Sequence, residues 1–168
     1  MTPALATRIG LLVAVVILVL DQASKWWILE VLNLPLLRQV MLLPVLSLTM
    51  VWNRGVTFGL LSGFGEWGYL LLTAVSLVVV TALGVWLRRA ETRLAAIAIG
   101  AVVGGAIGNV IDRLRFGAVV DFIHAHVDTP WGEFSWYVFN VADAAIVCGV
   151  VALIIDSQWP RRRPAAAG

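Results

Sequence analysis

Charge is scarce in this chain. Only 13% of its 168 residues are Asp, Glu, Lys or Arg, while 61% are hydrophobic. A water-soluble domain of this length needs far more polar surface, which leaves a bundle of membrane helices. Cysteine is limited to Cys148, deep in the last apolar run, so disulfides and cysteine-held metals are excluded. Histidine is limited to His124 and His126. Two apart, they would share one side of a strand, but without H-E-x-x-H they are an incomplete metal shell and read as solvated loop histidines. G-x-S-x-G is also absent, and no histidine pairs by motif with Ser24, Ser62 or Ser76. No cofactor, metal or nucleic-acid partner is expected.

Long apolar runs are present instead. Four of them, at about 9–29, 67–87, 94–115 and 139–156, approach the roughly 20 residues that cross hydrocarbon as a helix. The first continues through Trp26, Trp27, Ile28 and Leu29 with no small-x-small site after Leu20, so it reads as a retained helix rather than a cleavable signal peptide. Arg8, then Arg88, Arg89 and Arg93, then Arg161, Arg162 and Arg163 flank these runs on one side. The positive-inside rule assigns that side, and both termini, to the cytoplasm. The outer loops, about 30–66 and 116–138, carry Trp52, Trp131, Trp136 and Tyr137, suited to an interfacial belt.

Within those loops, Leu46, Leu48, Met50 and Trp52 alternate with Ser47, Thr49, Val51 and Asn53, and Phe134, Trp136 and Val138 alternate with Ser135 and Tyr137. This is strand periodicity. Gly55, Gly59, Gly63 and Gly65 permit turns, and Gly63 and Gly65 around Phe64 suggest a hinged flap. The expected architecture is an all-α membrane protein: four transmembrane helices with a small extracytoplasmic β-sheet, a cradle built from the two outer loops. It forms a single membrane domain over 1–168, with a cytoplasmic tail at 157–168. Gly100, Gly104 and Gly108 at four-residue spacing are assigned to close helix packing.

The polar residues of the helices gather at one depth. Asp21 lies about 20 Å along the first helix from Arg8 at 1.5 Å per residue, beside Gln22 and Lys25. The third helix ends in Asn109, Asp112 and Arg113, and the fourth begins with Asn140 and Asp143. Only Asp156 falls elsewhere, as a helix-end charge near the arginines. A transporter needs polar groups along the whole crossing or at its midplane. A site open to the outer surface fits this asymmetry better.

Simpler readings stand beside that one. Asp21 and Lys25, four apart, can neutralise each other. Asp112 and Arg113 can form an interface pair, with Arg113 snorkelling. Asn140 can be an N-cap with Asp143 at the third helical position. Against these, Asp121 and Asp143 both lie where the chain re-enters the membrane, and two acids converging there can share a proton.

Five segments recur in order and spacing as a set: Asp21-Gln22-Ala23-Ser24-Lys25; Asn53-Arg54-Gly55-Val56-Thr57-Phe58-Gly59; Gly104 to Arg113; Val119-Val120-Asp121-Phe122; and Phe139-Asn140-Val141-Ala142-Asp143. The set resembles the motifs of the bacterial lipoprotein signal peptidases (signal peptidase II). Thr57 stands where that family often has alanine or serine, and the arginine-rich tail is not a family motif. The resemblance implies an intramembrane aspartyl endopeptidase of the bacterial inner membrane, its active site facing the periplasm; a monomer is expected. Its substrates would be prolipoproteins, cut on the amino side of the diacylglyceryl-modified lipobox cysteine, with membrane lipids as further partners. By matching position, Asp121 and Asp143 would be catalytic, and Asn53, Asn109, Arg113 and Asn140 would line the pocket. Asp21, Lys25, Gly108 and Asp112 would support it. The dipole at the start of the fourth helix favours the Asp143 anion, so Asp143 is expected as base and Asp121 as the protonated partner. The rivals are a small transporter or lipid-binding accessory protein, and a metalloprotease using His124 and His126.

Overall fold

The computed structural model describes residues 2–55, 67–129 and 132–158. Thr57, Gly59, Gly63, Gly65, Trp131 and the arginine tail, with the flap expected there, lie outside the described residues. Among the described residues, four helices are long and apolar enough to cross a membrane. Helix α1 (Pro3–Trp26) continues into a π-helical segment, Trp27–Val31. After a one-turn α2 (Leu34–Leu37) come strands β1 (Gln39–Leu43) and β2 (Leu46–Asn53), then α3 (Gly68–Leu87) and α4 (Arg93–Phe116). Strands β3 (Val119–Thr129) and β4 (Gly132–Ser135) precede α5 (Val141–Gln158). Helix α1 begins six residues before the expected Ile9, because Thr2 Oγ1 accepts the Leu5 N–H and Pro3 occupies the first turn.

Helix α4 is the buried one, and its small residues explain why. A Cβ at Gly100 would meet the Gly10 carbonyl, one at Gly104 the Ala14 carbonyl, and one at Gly105 the Ala142 carbonyl. Backbones therefore touch on two sides of α4, as four-residue spacing of small residues allows. Contacts with α1 rise together in residue number, so α1 and α4 run parallel. Those with α5 fall as α4 advances: Gly105 faces Ala142, and Gly149 faces Ala98. At the far end, Thr92 caps α4 through the Ala95 N–H and donates to Asp156 Oδ1 (2.7 Å), so Asp156 sits beside the arginine-rich end.

The sheet is antiparallel in the order β1-β2-β3-β4. Strand β2 forms where the alternation predicts one, but its burial does not alternate, because the register shifts between Leu48 and Val51 and buries Ser47 beside Leu48. Strand β3 is the longest among the described residues. The alternation over 134–138 forms a strand only to Ser135. Beyond it the chain leaves β3 and returns at Phe139, which bridges Ile123. Ile28, Leu34, Leu48, Val120 and Phe122 form one apolar cluster that seats the sheet on the end of α1.

That end of the bundle also holds a buried ion cluster. Lys25 Nζ lies 2.9 Å from Asp21 Oδ2 and 2.7 Å from Asp112 Oδ2, joining α1 to α4. Gln22 Nε2 donates to both acids as well. The second oxygen of Asp21 accepts the Ala142 N–H (3.0 Å), and Asp112 Oδ2 accepts the Val120 N–H (3.1 Å). Asp21 and Lys25 thus do pair, but inside a larger cluster. Asp112 pairs with Lys25 and not with Arg113, because α4 turns its Asp112 face toward α1.

Lys25→Met leaves two buried carboxylates facing each other without a cation. We expect a loss of roughly 3–5 kcal/mol, read from unfolding in detergent micelles. Gly104→Val drives a branched side chain into the α1 backbone. It should lower Tm more than Gly117→Val, because nothing lies within 4 Å of a Cβ at Gly117 even though its φ is +67°.

Candidate active site

Asp121 enters the site from β3. Gly117, with φ +67°, ends α4 in the left-handed conformation that a side chain disfavours, and its N–H returns to the Arg113 carbonyl. The chain can then turn at once into β3. Val120 is anchored by Asp112, and pairing with β2 sets Val119 opposite Asn53 and Asp121 opposite Val51. A register shift between Leu48 and Val51 of β2 adjusts this pairing. Asn53 ends β2 in a tight turn, its Oδ1 accepting the Gly55 N–H (2.8 Å) at a glycine with φ +76°. Its Nδ2 is left to donate to Asp121 Oδ2 (2.9 Å).

Asp143 enters from the first turn of α5. Its N–H donates to Asn140 Oδ1 (2.9 Å), and its Oδ2 accepts a long bond from the Asn140 N–H (3.4 Å). This is the capping arrangement that the spacing suggested, a reciprocal box at the helix start. Capping does not exhaust the carboxylate, because its Oδ1 accepts from Asn109 Nδ2 on α4 (2.8 Å).

Asn140 joins the two acids. Its Nδ2 donates to Asp121 Oδ1 (2.7 Å) and to Asn109 Oδ1 (3.3 Å), while its backbone and Oδ1 hold Asp143. Lys25 Nζ donates to the same Asn109 Oδ1 (3.1 Å), which links the ion cluster to the acids. Asn140 is fully buried and Asp121 is 1% exposed, so the Asp121 carboxyl is shielded from bulk water. Burial is the main cause that raises Asp121 from 3.8 to about 6. The hydrogen bond from Asn53 opposes this, the Asp143 charge adds to it, and the Asn140 bond and Lys25 charge oppose it again.

Asp121, Asn53, Asn109, Asn140 and Asp143 thus form one hydrogen-bonded chain, and Asp21, Lys25 and Asp112 form a second, joined at Asn109. Gly108 belongs with the second: the space a Cβ would fill is taken by the Asp21 carboxylate. Arg113 stands at the edge, half-buried, donating among the described residues only to the Asn109 carbonyl (3.4 Å). Phe116, at the end of α4, packs edge-on against Trp52 at 5.4 Å. His124 and His126 lie half-buried on β3 rather than in a solvated loop. His124 is bonded to Thr49 (3.2 Å) and Ser135 (2.6 Å), and His126 to Ser47 (2.8 Å).

An open groove of about 790 Å³ leads to Asp121. Asn53, Arg54, Trp52, His124, Trp136 and Tyr137 are among its walls. Sequence reasoning missed three contributors. Gln22 was legible only as a polar neighbour of Asp21, yet it spans both supporting acids. Ser47 and Thr49 looked like the solvent side of a strand, and only pairing with β3 gives them histidine partners.

The profile of the Signal peptidase (SPase) II family matches residues 13–159. A relative named lipoprotein signal peptidase from Methylorubrum extorquens (strain PA1) is 52% identical over 94% of this chain and 90% of its own length. One of the same name from Nitrobacter hamburgensis (strain DSM 10229 / NCIMB 13809 / X14) is 45% identical over 99% and 98%. Two solved structures described as a bacterial membrane enzyme, at 2.3 and 1.9 Å resolution, superpose with TM-scores of 0.73 and 0.74. They are 26% and 27% identical, covering 93% and 90% of this chain and 93% and 94% of theirs. A profile that matches residues 13–159, with relatives covered over 90% or more of their own length, leaves one conclusion: the chain belongs to the signal peptidase II family.

Proposed function

We infer that Asp121 and Asp143 are the catalytic pair with which this multi-pass membrane peptidase removes signal peptides from prolipoproteins. One observation carries the assignment: a single buried asparagine, Asn140, hydrogen-bonds both carboxylates. Two acids held that way cannot both ionise cheaply, so they hold one proton between them. Burial favours that proton on Asp121, which leaves Asp143 as the partner that accepts one.

The chemistry follows from the two protonation states. Asp143 takes a proton from water as the water oxygen bonds to the scissile carbonyl carbon. Asp121 donates its hydrogen to the carbonyl oxygen, giving a neutral tetrahedral intermediate. In the collapse, Asp143 returns its proton to the leaving nitrogen, the C–N bond breaks, and Asp121 recovers its proton from the hydroxyl. Asn109 and Asn140 keep the two carboxyls in register through both steps. Arg113, which among the described residues makes one weak bond inside its own helix, would hold a substrate carbonyl.

The level of the site supports an outward-facing location in the inner membrane, with the arginine-rich ends and both termini in the cytoplasm. The substrate's signal helix and the diacylglyceryl chains of its lipobox cysteine stay in lipid, so the cut falls on the amino side of that cysteine. The mature chain leaves along the groove past Trp136 and Tyr137, which are 69% and 67% exposed and would line an aqueous exit. A monomer suffices, because one chain supplies every group named. A transporter or lipid-binding accessory role is not favoured by the relatives.

Asp143→Asn is the cleaner test of the pair, since an amide nitrogen can take the place of the weakly bonded Oδ2. Asp121→Asn sets its own amide against the amide of Asn53 or Asn140, at a cost of about 1–3 kcal/mol. Both variants should insert and fold, yet cleave a diacylglyceryl-modified precursor about 10³-fold more slowly or worse. Wild-type processing by either purified variant would refute the assignment. For the free enzyme, kcat/KM should fall as pH rises through about 6, where Asp121 loses its proton. Asn53→Ala removes a bond that favours the anion, so the same limb should move to higher pH. A limb that stays or moves down would take the proton away from Asp121.

A further inference from the structure

At the arginine-rich end of the bundle, opposite the acids, α1 and α3 stand apart over the surface of α4. The gap is a cavity of about 360 Å³, within the size range of small-molecule sites. Gly10 and Ala14 of α1, Gly84 of α3, and Gly100 and Val103 of α4 are among its lining residues, and Arg88 stands at its mouth. Close contact of α1 with α4 at Gly10 and Gly100 makes the floor. On the α3 side Leu87 packs against Gly10, and one turn away the wall opens: a Cβ at Gly84 would meet nothing within 4 Å.

The lining sorts by chemistry. Its two hydroxyls are already used, Thr7 Oγ1 on the Pro3 carbonyl (2.9 Å) and Thr81 Oγ1 on the Leu77 carbonyl (2.8 Å). The interior therefore offers only apolar contact over about 10 Å of helix, from Thr7 to Ala14. At the mouth, Arg88 is exposed and has no carboxylate within ion-pair distance among the described residues. Arg89 and Arg93 follow within one short link with a single acid, Glu91, between them, so the link keeps an excess of positive charge. An apolar slot topped by an unpaired guanidinium matches an amphiphile with an acyl chain and an anionic phosphate.

We propose that this groove is a binding site for one anionic membrane phospholipid, its acyl chain between α1 and α3 and its phosphate on Arg88. The site is separate from the acids and independent of the assignment of Asp121 and Asp143.

The test uses the full chain extracted from membranes and reconstituted into nanodiscs of phosphatidylglycerol or phosphatidylcholine, with bound lipid counted by native mass spectrometry. Wild type should retain one phosphatidylglycerol where phosphatidylcholine is lost. Arg88→Gln should weaken phosphatidylglycerol retention about fivefold and leave phosphatidylcholine unchanged. Gly84→Leu, which grows into open space, should displace the bound lipid while peptidase activity and α-helical content persist. Equal retention of the two lipids by wild type, or wild-type retention by both variants, would overturn the proposal. So would a wild-type dimer that Gly84→Leu dissociates, since the groove would then be covered by a second copy.

Discussion

One buried cation holds this site in place. Lys25 lies between Asp21 of α1 and Asp112 of α4 and also reaches Asn109, so a single ammonium ties two parallel helices to the centre of the polar network. The two carboxylates each keep a backbone amide: Asp112 holds Val120, and Asp21 holds Ala142. These are the residues immediately before Asp121 and Asp143. The ion cluster thus positions the backbone that leads into both acids. Such a cluster would be costly in hydrocarbon if any member lacked a partner. Among the described residues, no buried side-chain polar atom is unsatisfied.

The same constraint accounts for the shape of the bundle. Polar groups that must be desolvated together need helices that approach closely, and α4 supplies this with glycines facing α1 and α5. Gly108 shows the link between packing and chemistry, since its missing side chain is the room that the Asp21 carboxylate occupies. Toward the arginine-rich end the packing is apolar instead, with Ala6, Leu87, Ala96 and Ile99 in one buried cluster.

The sheet has a matching role at the membrane edge. Its apolar face closes over Ile28 and Leu34, while β2 and β3 bring Asn53 beside Asp121. The histidines of β3, tied to hydroxyls on β2 and beside β4, brace the outer part of the cradle. Asp121 is therefore buried by a strand pair and not by a transmembrane helix. This lets the groove reach it from the aqueous side.

Much of this was legible in residue order. Four apolar runs, arginines at alternate ends and acids at one depth determined a membrane bundle with a polar site at one boundary. The spacing of Asn140 and Asp143 determined a helix cap. Helical periodicity put Asn109 and Asp112 near one face of α4, because both properties depend on neighbours three or four residues away. Tertiary structure alone decided the partners: that Asp112 takes Lys25 instead of Arg113, that Asn140 serves both acids, and that Ser47 and Thr49 face histidines. Those choices depend on register between strands and on which helix faces meet. No local pattern encodes them, because the interacting groups lie tens of residues apart and are matched only when desolvation forces every buried donor to find an acceptor.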